Sequence, residues 1–138
     1  MNISATGVAA IRQREGYRLQ AYRDVKGIPT VGVGHTGPEV RVGMWWTIAQ
    51  VDATLANDLS RFVAAVNDVG VELTQNEFDA CVSLAFNIGV GGFEGSSVVK
   101  QLKAGNKQAA ADDFLMWEKP PSLRARREGE RRQFLGEM

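Results

Sequence analysis

The chain has very few of the residues that build crosslinks and metal sites. Its 138 residues include one cysteine, Cys81, and one histidine, His35. A lone cysteine cannot form a disulfide within the chain, and a lone histidine excludes a zinc site made of clustered Cys and His ligands. Cys81 lies in a helical run, so we expect it to be a small buried hydrophobe and not a nucleophile.

Long hydrophobic runs are also missing. Apolar residues make up 44% and charged residues 23% of the chain, as in ordinary globular proteins. The first apolar run, residues 8–11, is too short for a signal core or a membrane span, and no basic region precedes it. We expect no signal peptide, anchor segment or membrane span. The 16 basic and 16 acidic residues cancel, which argues against a nucleic-acid-binding protein.

Helical and strand patterns both occur, in separate parts of the chain. Apolar residues at helical spacing predict a first helix that ends near Glu15, and alternating residues predict a β-hairpin after it. Residues 39–43 predict a short third strand, and residues 47–69 predict one long helix. Two adjacent residues of an extended segment point to opposite faces, so we expect one of Trp45 and Trp46 to be buried and the other to be partly exposed.

We predict an α+β fold that is mainly α. At this length the chain forms a single domain with no separate cell-wall-binding module. The hairpin lobe spans about 16–46, the linking helix about 47–69, and the helical lobe about 70–138 together with the N-terminal helix. Further helix starts are marked by capping residues, which are Ser4, Thr47, Thr74 with Glu77, Ser96, Asn106 and Ser122.

Two carboxylates flank the first strand of the hairpin. Glu15 ends an apolar helix, where the partial negative charge of the helix terminus disfavours ionisation, and Asp24 lies beside Arg23 and Lys26, which favour it. Hydrolysis of a glycosidic bond needs one carboxylic acid as proton donor and a second carboxylate that activates water or attacks. The alternative is that both acids are solvated surface residues.

The whole stretch from residue 15 to residue 37 resembles the active-site hairpin of phage lysozymes, the endolysins of glycoside hydrolase family 24. That family has Glu, eight further residues, Asp, five further residues and Thr, followed by a Gly-x-Gly-His turn. Glu15, Asp24 and Thr30 match the first three positions, and Gly34 and His35 end the matching turn.

The resemblance extends to the second half of the chain. Phe86 and Asn87 match a Phe-Asn-x-Gly segment, and Arg126 begins a closing Arg-Arg-x-x-Glu helix. With Gly34 and His35 these residues are candidates for substrate binding. Three of them have a structural alternative: Asn87 suits a local turn, Arg126 an ion pair with Glu130, and His35 a hydrogen bond to a backbone or carboxylate partner.

What the resemblance implies is a lysozyme-like fold with a saccharide cleft between two lobes. The activity is hydrolysis of the β-1,4 bond between N-acetylmuramic acid and N-acetylglucosamine in peptidoglycan, with Glu15 as general acid and with Asp24 and Thr30 holding the attacking water. No metal or organic cofactor is needed. The protein is expected to be a monomer that waits in the host cytoplasm until a separate membrane-opening phage protein, a holin, lets it reach the cell wall in the periplasm.

Two other functions fit such a scaffold. A lytic transglycosylase cleaves the same bond with the muramic C6 hydroxyl in place of water, so it needs the acid but no group that holds water. A non-catalytic wall-binding protein needs neither, because fold does not imply function. The presence of Glu15, Asp24 and Thr30 together favours the hydrolase.

Overall fold

The computed structural model describes residues 1–137, and in that range the chain is mainly helical with one two-stranded antiparallel sheet. The mainly α, α+β prediction is confirmed. No helix of the described range is both long enough and apolar enough to cross a membrane. The elements are α1 (Ala5–Glu15), β1 (Arg18–Arg23), β2 (Pro29–Gly32), α2 (Ile48–Asp58), α3 (Ser60–Asn67), α4 (Gln75–Ile88), α5 (Val90–Glu94), α6 (Ser97–Lys103), α7 (Lys107–Asp113) and α8 (Arg124–Phe134), with single 3₁₀ turns at Phe114–Trp117 and Pro121–Leu123.

The chain divides into two compact units. Residues 8–58 form one, which we call the hairpin unit, and residues 1–7 together with the chain from residue 59 onward form the other, the helical unit. Every residue of the hairpin and the end of α1 belongs to the hairpin unit. The predicted division into a hairpin lobe, a linking helix and a helical lobe stays a prediction.

The hairpin unit has its own small core. β1 and β2 pair antiparallel, with Tyr22 opposite Thr30, and the sheet face away from that pair buries Ala21 and Val31 together with Val40. Because side chains alternate along a strand, Tyr22 and Thr30 lie on the face opposite this core.

The predicted third strand at 39–43 is wrong, because the pairing with β1 comes later in the chain. The amide of Ala21 donates to the Met44 carbonyl at 2.8 Å, and the amide of Trp46 donates to the Leu19 carbonyl at 2.8 Å. Residues 43–46, and not 39–43, thus lie against the free edge of β1. Met44 and Trp46 pack on the core, and Trp45 between them is 67% exposed, so the two tryptophans do face opposite ways.

The single long helix predicted over 47–69 is also wrong in detail, since it is interrupted at Leu59. Leu59 keeps right-handed angles, with φ −82° and ψ −3°, and its carbonyl accepts the amides of both Phe62 and Val63. The flanking residues Asp58 and Ser60 have side chains that compete for backbone hydrogen bonds, which makes them weak helix formers. The break is local, and an apolar stripe continues on both sides of it.

Helix caps in the helical unit match the sequence prediction in part. Thr74 and Glu77 form the expected capping box: Thr74 Oγ1 accepts the Glu77 amide at 3.2 Å, and the Thr74 amide donates to Glu77 Oε1 at 2.8 Å. Ser96 caps α6. Asn106 precedes α7, but its side chain makes no capping hydrogen bond, so that predicted cap is wrong. Ser122 is wrong as a helix start, because the last helix begins at residue 124 after a 3₁₀ turn.

An ion pair lies at the centre of the helical unit. Arg127 and Glu130 on α8 are both fully buried, and Arg127 Nη1 donates to Glu130 Oε1 at 2.5 Å. The other carboxylate oxygen of Glu130 accepts from Ser83 Oγ at 2.5 Å and from Arg126 Nε at 3.1 Å. With both oxygens bonded, the cost of burying the carboxylate is offset by its partners.

We expect Glu130→Ala to lower the free energy of unfolding by about 3–5 kcal/mol, because it leaves the buried Arg127 guanidinium without its anion. Urea unfolding followed by circular dichroism measures this. Glu128→Ala is the matched control on the same helix: its partner Arg124 is 68% exposed, and such pairs contribute no more than about 1 kcal/mol. Equal losses from the two variants would contradict a special role for the buried pair.

Candidate active site

Glu15 is the last residue of α1, as the sequence predicts. The helix stops because Gly16 takes φ +75°, a conformation that favours glycine, and its amide donates to the Arg12 carbonyl at 3.0 Å. Arg12 in turn holds this end of the helix in place, since its Nε donates to Asp52 Oδ1 of α2 at 2.7 Å. The Glu15 side chain is exposed at a fixed position.

Asp24 is fixed by the turn that follows β1. Its Oδ1 accepts two backbone amides, that of Lys26 at 2.8 Å and that of Ile28 at 2.9 Å, and its own amide donates to the Ile28 carbonyl at 2.9 Å. Within residues 1–137, Oδ2 has no hydrogen-bond partner. One carboxylate oxygen is therefore anchored, and the other is available to a substrate or to water.

Thr30 also forms a hydrogen bond to the backbone of Ile28, in the turn that fixes Asp24. Its side chain is buried, and Oγ1 donates to the Ile28 carbonyl at 2.9 Å. Because the hydroxyl proton is committed to Ile28, the remaining hydrogen-bonding capacity of Oγ1 is as an acceptor. Asp24 and Thr30 are thus brought together through the backbone of one residue.

Glu15 lies in a pocket of about 360 Å³ within the hairpin unit. Gly34, another residue singled out in the sequence, lines the same pocket, whereas Asp24 and Thr30 do not. The connection to them runs through Tyr22, which lines the pocket and lies directly opposite Thr30 in the sheet. The full lining is Glu15, Gly16, Tyr17, Arg18, Tyr22, Gly32, Val33 and Gly34.

Sequence reasoning missed two residues of this pocket, Arg18 and Tyr22. The Arg18 guanidinium carbon lies 4.5 Å from the centre of the Tyr22 ring, within cation–π distance. No sequence pattern marks them, because the register of the hairpin is irregular between positions 18 and 22. The pairing of Tyr22 with Thr30 in the sheet connects them to the candidate residues.

His35 has carboxylate partners on both sides of its ring. Nδ1 is 2.7 Å from Asp58 Oδ2 and Nε2 is 2.7 Å from Glu39 Oε1, and the ring lies against Trp46 with centroids 5.7 Å apart. Partial burial opposes the charged form, but the hydrogen bonds that the ring donates to Glu39 and Asp58 and the negative charge of both carboxylates outweigh it and raise the pKa of His35. The imidazole links residues 35–39 to the end of α2, and it does not line the Glu15 pocket.

The three candidates of the helical unit have structural partners. Asn87 Oδ1 accepts a hydrogen bond from Arg127, and Phe86 packs edge-on against Phe62 with centroids 5.3 Å apart. Arg126 bonds to Glu130 and, through Nη2, to the Ser83 carbonyl at 3.2 Å. The Arg126–Glu130 contact is the ion pair expected as the structural alternative, whereas Asn87 lies within α4 and not in the local turn that was the alternative for it. Substrate binding by these residues stays a prediction. Across residues 1–137, no group of three or more His, Cys, Asp or Glu side chains is placed to hold a metal ion.

A model of the family described as phage lysozyme matches residues 12–130 of the chain. Over 144 aligned positions the chain is 46% identical to the endolysin of Salmonella phage P22, covering 98% of the chain and 99% of that protein. It is 38% identical to the endolysin of Bacillus phage B103, of which it spans 54%.

Solved structures give the same result. A crystal structure of a P22 lysozyme mutant matches with a TM-score of 0.91 and 45% identity, covering 98% of this chain and 99% of that one. A muramidase domain from Asticaccaulis excentricus matches with a TM-score of 0.82 and 37% identity, covering 97% of each chain. The fold and site define a glycoside hydrolase with a lysozyme fold. The chain belongs to the phage lysozyme family and is a peptidoglycan-hydrolysing enzyme of phage lysis.

The two carboxylate partners of His35 make part of the stability pH-dependent. Because the folded-state pKa of His35 is raised above 6.5, the stabilisation is fully present below about pH 6.5 and is lost as the pH rises through the folded value. We expect the free energy of unfolding to fall over this interval in the wild type and to stay flatter in His35→Gln. Urea titrations at pH 6 to 9 measure this, and a parallel slope in both proteins would contradict it.

Proposed function

We propose that Glu15 is the general acid of this enzyme and that Asp24 and Thr30 hold and activate the water that attacks the muramic C1 carbon. The bond cleaved is the β-1,4 linkage from N-acetylmuramic acid to N-acetylglucosamine. The observation that carries the proposal is the hydrogen-bonding state of the Asp24–Thr30 pair, which leaves acceptor atoms on both side chains.

A water between these two side chains has a use for each of its hydrogens. One is donated to Asp24 Oδ2, the oxygen that the turn leaves unbonded, and the other to Thr30 Oγ1, whose own proton goes to Ile28. The water then keeps its lone pairs for the anomeric carbon. Asp24 takes the proton as the C–O bond forms, the step expected of a general base.

Glu15 supplies the other proton transfer. It is the last residue of α1, which stops at Gly16. It also lines the pocket of the hairpin unit, where a sugar can reach it. Protonation of the glycosidic oxygen by Glu15 lets the N-acetylglucosamine leave as an alcohol.

A lytic transglycosylase is the second candidate. It would use the acid and the muramic C6 hydroxyl, and it would have no task for an anchored carboxylate with one open oxygen. Asp24 and Thr30 therefore favour the hydrolase over the transglycosylase. A wall-binding protein without activity would have no need for any of the three side chains.

The wider role follows from the family. We propose that the enzyme acts as a monomer, is held in the host cytoplasm until a holin opens the membrane, and then degrades peptidoglycan in the periplasm. Gly34 takes φ +63° in the pocket wall, which would let backbone approach the sugar closely. We propose it as the first of the substrate-binding candidates, ahead of His35, Phe86, Asn87 and Arg126.

We expect Glu15→Gln to reduce the release of soluble fragments from purified peptidoglycan by at least about 10²-fold, because the amide cannot donate the catalytic proton. Glu94→Gln is the matched control, since Glu94 is also an exposed glutamate at the last position of a helix that a glycine ends. Mass analysis of the fragments should show reducing muramic ends from the wild type. Anhydromuramic ends would instead identify a transglycosylase.

Asp24→Asn separates the chemical role of Asp24 from its structural one. The asparagine oxygen can accept the amides of Lys26 and Ile28, so the turn is kept, while an NH₂ group replaces the oxygen that accepts from water. We expect activity to fall nearly as far as in Glu15→Gln, with little change in the urea midpoint.

Asp24→Ala removes both functions, so it should lose activity and also lower stability by about 1 kcal/mol, the typical cost of losing a turn or cap hydrogen bond. The proposal would be contradicted by an Asp24→Asn enzyme that keeps a tenth or more of the wild-type rate while folding normally.

A further inference from the structure

Arg18 is the cation of the Glu15 pocket. It lines the pocket together with Glu15 and Tyr22, and within residues 1–137 no carboxylate forms an ion pair with it. Its guanidinium rests over the Tyr22 ring at 4.5 Å. The side chain is exposed and permanently charged, so its hydrogen-bond donors face solvent in a pocket where the substrate must bind.

The position of Arg18 in the sheet puts it on the catalytic side. Arg18 lies opposite Gly32 and Tyr22 lies opposite Thr30, with an irregularity of the register between the two pairs. The Arg18 guanidinium lies over the ring of Tyr22, and both residues line one pocket with Glu15 at the end of α1. A group bound by Arg18 is a near neighbour of the cleaved bond.

The contact with Tyr22 prepares the guanidinium for binding. A long arginine side chain loses rotamer freedom when it binds a ligand, and stacking on an aromatic ring removes part of that freedom in advance. The planar fork then presents two parallel N–H groups, which suit a carboxylate. Arg18 gives the pocket a permanent positive charge, which attracts an anionic substrate.

We infer that Arg18, held by Tyr22, binds a carboxylate of the muramyl part of the substrate and so selects peptide-bearing or lactyl-bearing glycan over neutral glycan. The inference rests on the proposed function, because it names the substrate group recognised by that same site. Peptidoglycan offers two such carboxylates: those of the stem peptide, and that of the lactyl group once the peptide has been removed. Neutral polysaccharides of N-acetylglucosamine offer neither.

The test combines one substitution in the protein with one chemical modification of the substrate. Wild type and Arg18→Gln are compared on purified peptidoglycan and on the same peptidoglycan with its carboxyl groups converted to methylamides. On untreated substrate we expect Arg18→Gln to raise KM about twofold to fivefold with kcat nearly unchanged, the size of an exposed ion pair. On amidated substrate the two enzymes should have the same KM.

Arg61→Gln is the matched control. The Arg61 guanidinium carbon lies 4.7 Å from the centre of the Phe62 ring, so this variant removes an exposed arginine with a similar aromatic contact from α3. It should leave KM unchanged on both substrates. The effect of Arg18→Gln should also shrink as salt is added, because screening weakens an exposed ion pair.

The outcomes are distinct. A loss in Arg18→Gln that is equal on both substrates overturns the inference, because the arginine would then act on the fold or on neutral groups. An unchanged KM on untreated substrate overturns it as well. If the wild type hydrolyses peptidoglycan in either case, the proposed function stands; if Glu15→Gln is as active as the wild type, the proposed function itself fails.

The source of the carboxylate is found with glycan chains from which an amidase has removed the stem peptides. These chains carry the lactyl carboxylate alone. An Arg18→Gln effect that persists on them shows that Arg18 also binds the lactyl carboxylate, and one that disappears assigns the stem peptide alone.

Discussion

The backbone of Ile28 is the constraint on which the proposed chemistry depends. Its amide donates to Asp24 Oδ1, and its carbonyl accepts from both the Asp24 amide and Thr30 Oγ1. These bonds settle which oxygen of Asp24 is free and which way the Thr30 hydroxyl points. The Ile28 side chain is 44% exposed and takes no part in this, so the backbone of the turn carries the function. A proline at position 28 would remove the backbone amide, and Asp24 Oδ1 would lose the hydrogen bond that it accepts from residue 28.

The two carboxylates of the site are held by different means. Asp24 is fixed by its own turn, over a few residues of sequence. Glu15 depends on the end of α1, which is tied down by the ion pair between Arg12 and Asp52 and by the Gly16 cap. The Arg12 guanidinium also lies 5.3 Å from the Tyr17 ring, which forms part of the pocket wall. Changes on α2 can therefore move Glu15, whereas Asp24 is held by its own turn.

Local chemistry made much of this predictable from the sequence. The Gly16 stop and the Thr74–Glu77 capping box depend on neighbouring residues, and the structure has both where the sequence puts them. The strand predicted at 39–43 failed because pairing with β1 depends on contacts some twenty residues apart, which no local pattern encodes. The prediction of one uninterrupted helix over 47–69 was wrong for a local reason. The apolar periodicity continues across Asp58 and Ser60, but both residues are weak helix formers. The place of Arg18 in the site became visible only once the register joined Tyr22 to Thr30.

The arginines of the chain show why a sequence motif alone does not identify the residues that are available to bind substrate. Arg126 and Arg127 belong to a motif that resembles a functional one, yet both are bonded to a fully buried glutamate, so removing them disturbs folding. Arg18 belongs to no motif, yet it lines the pocket of the proposed acid. A buried ion pair has already committed its charge within the fold, whereas an exposed cation without a carboxylate partner keeps its charge for a ligand. In this enzyme the arginine that is free to recognise substrate is therefore to be sought on the hairpin, and α8 serves mainly to hold the helical unit together.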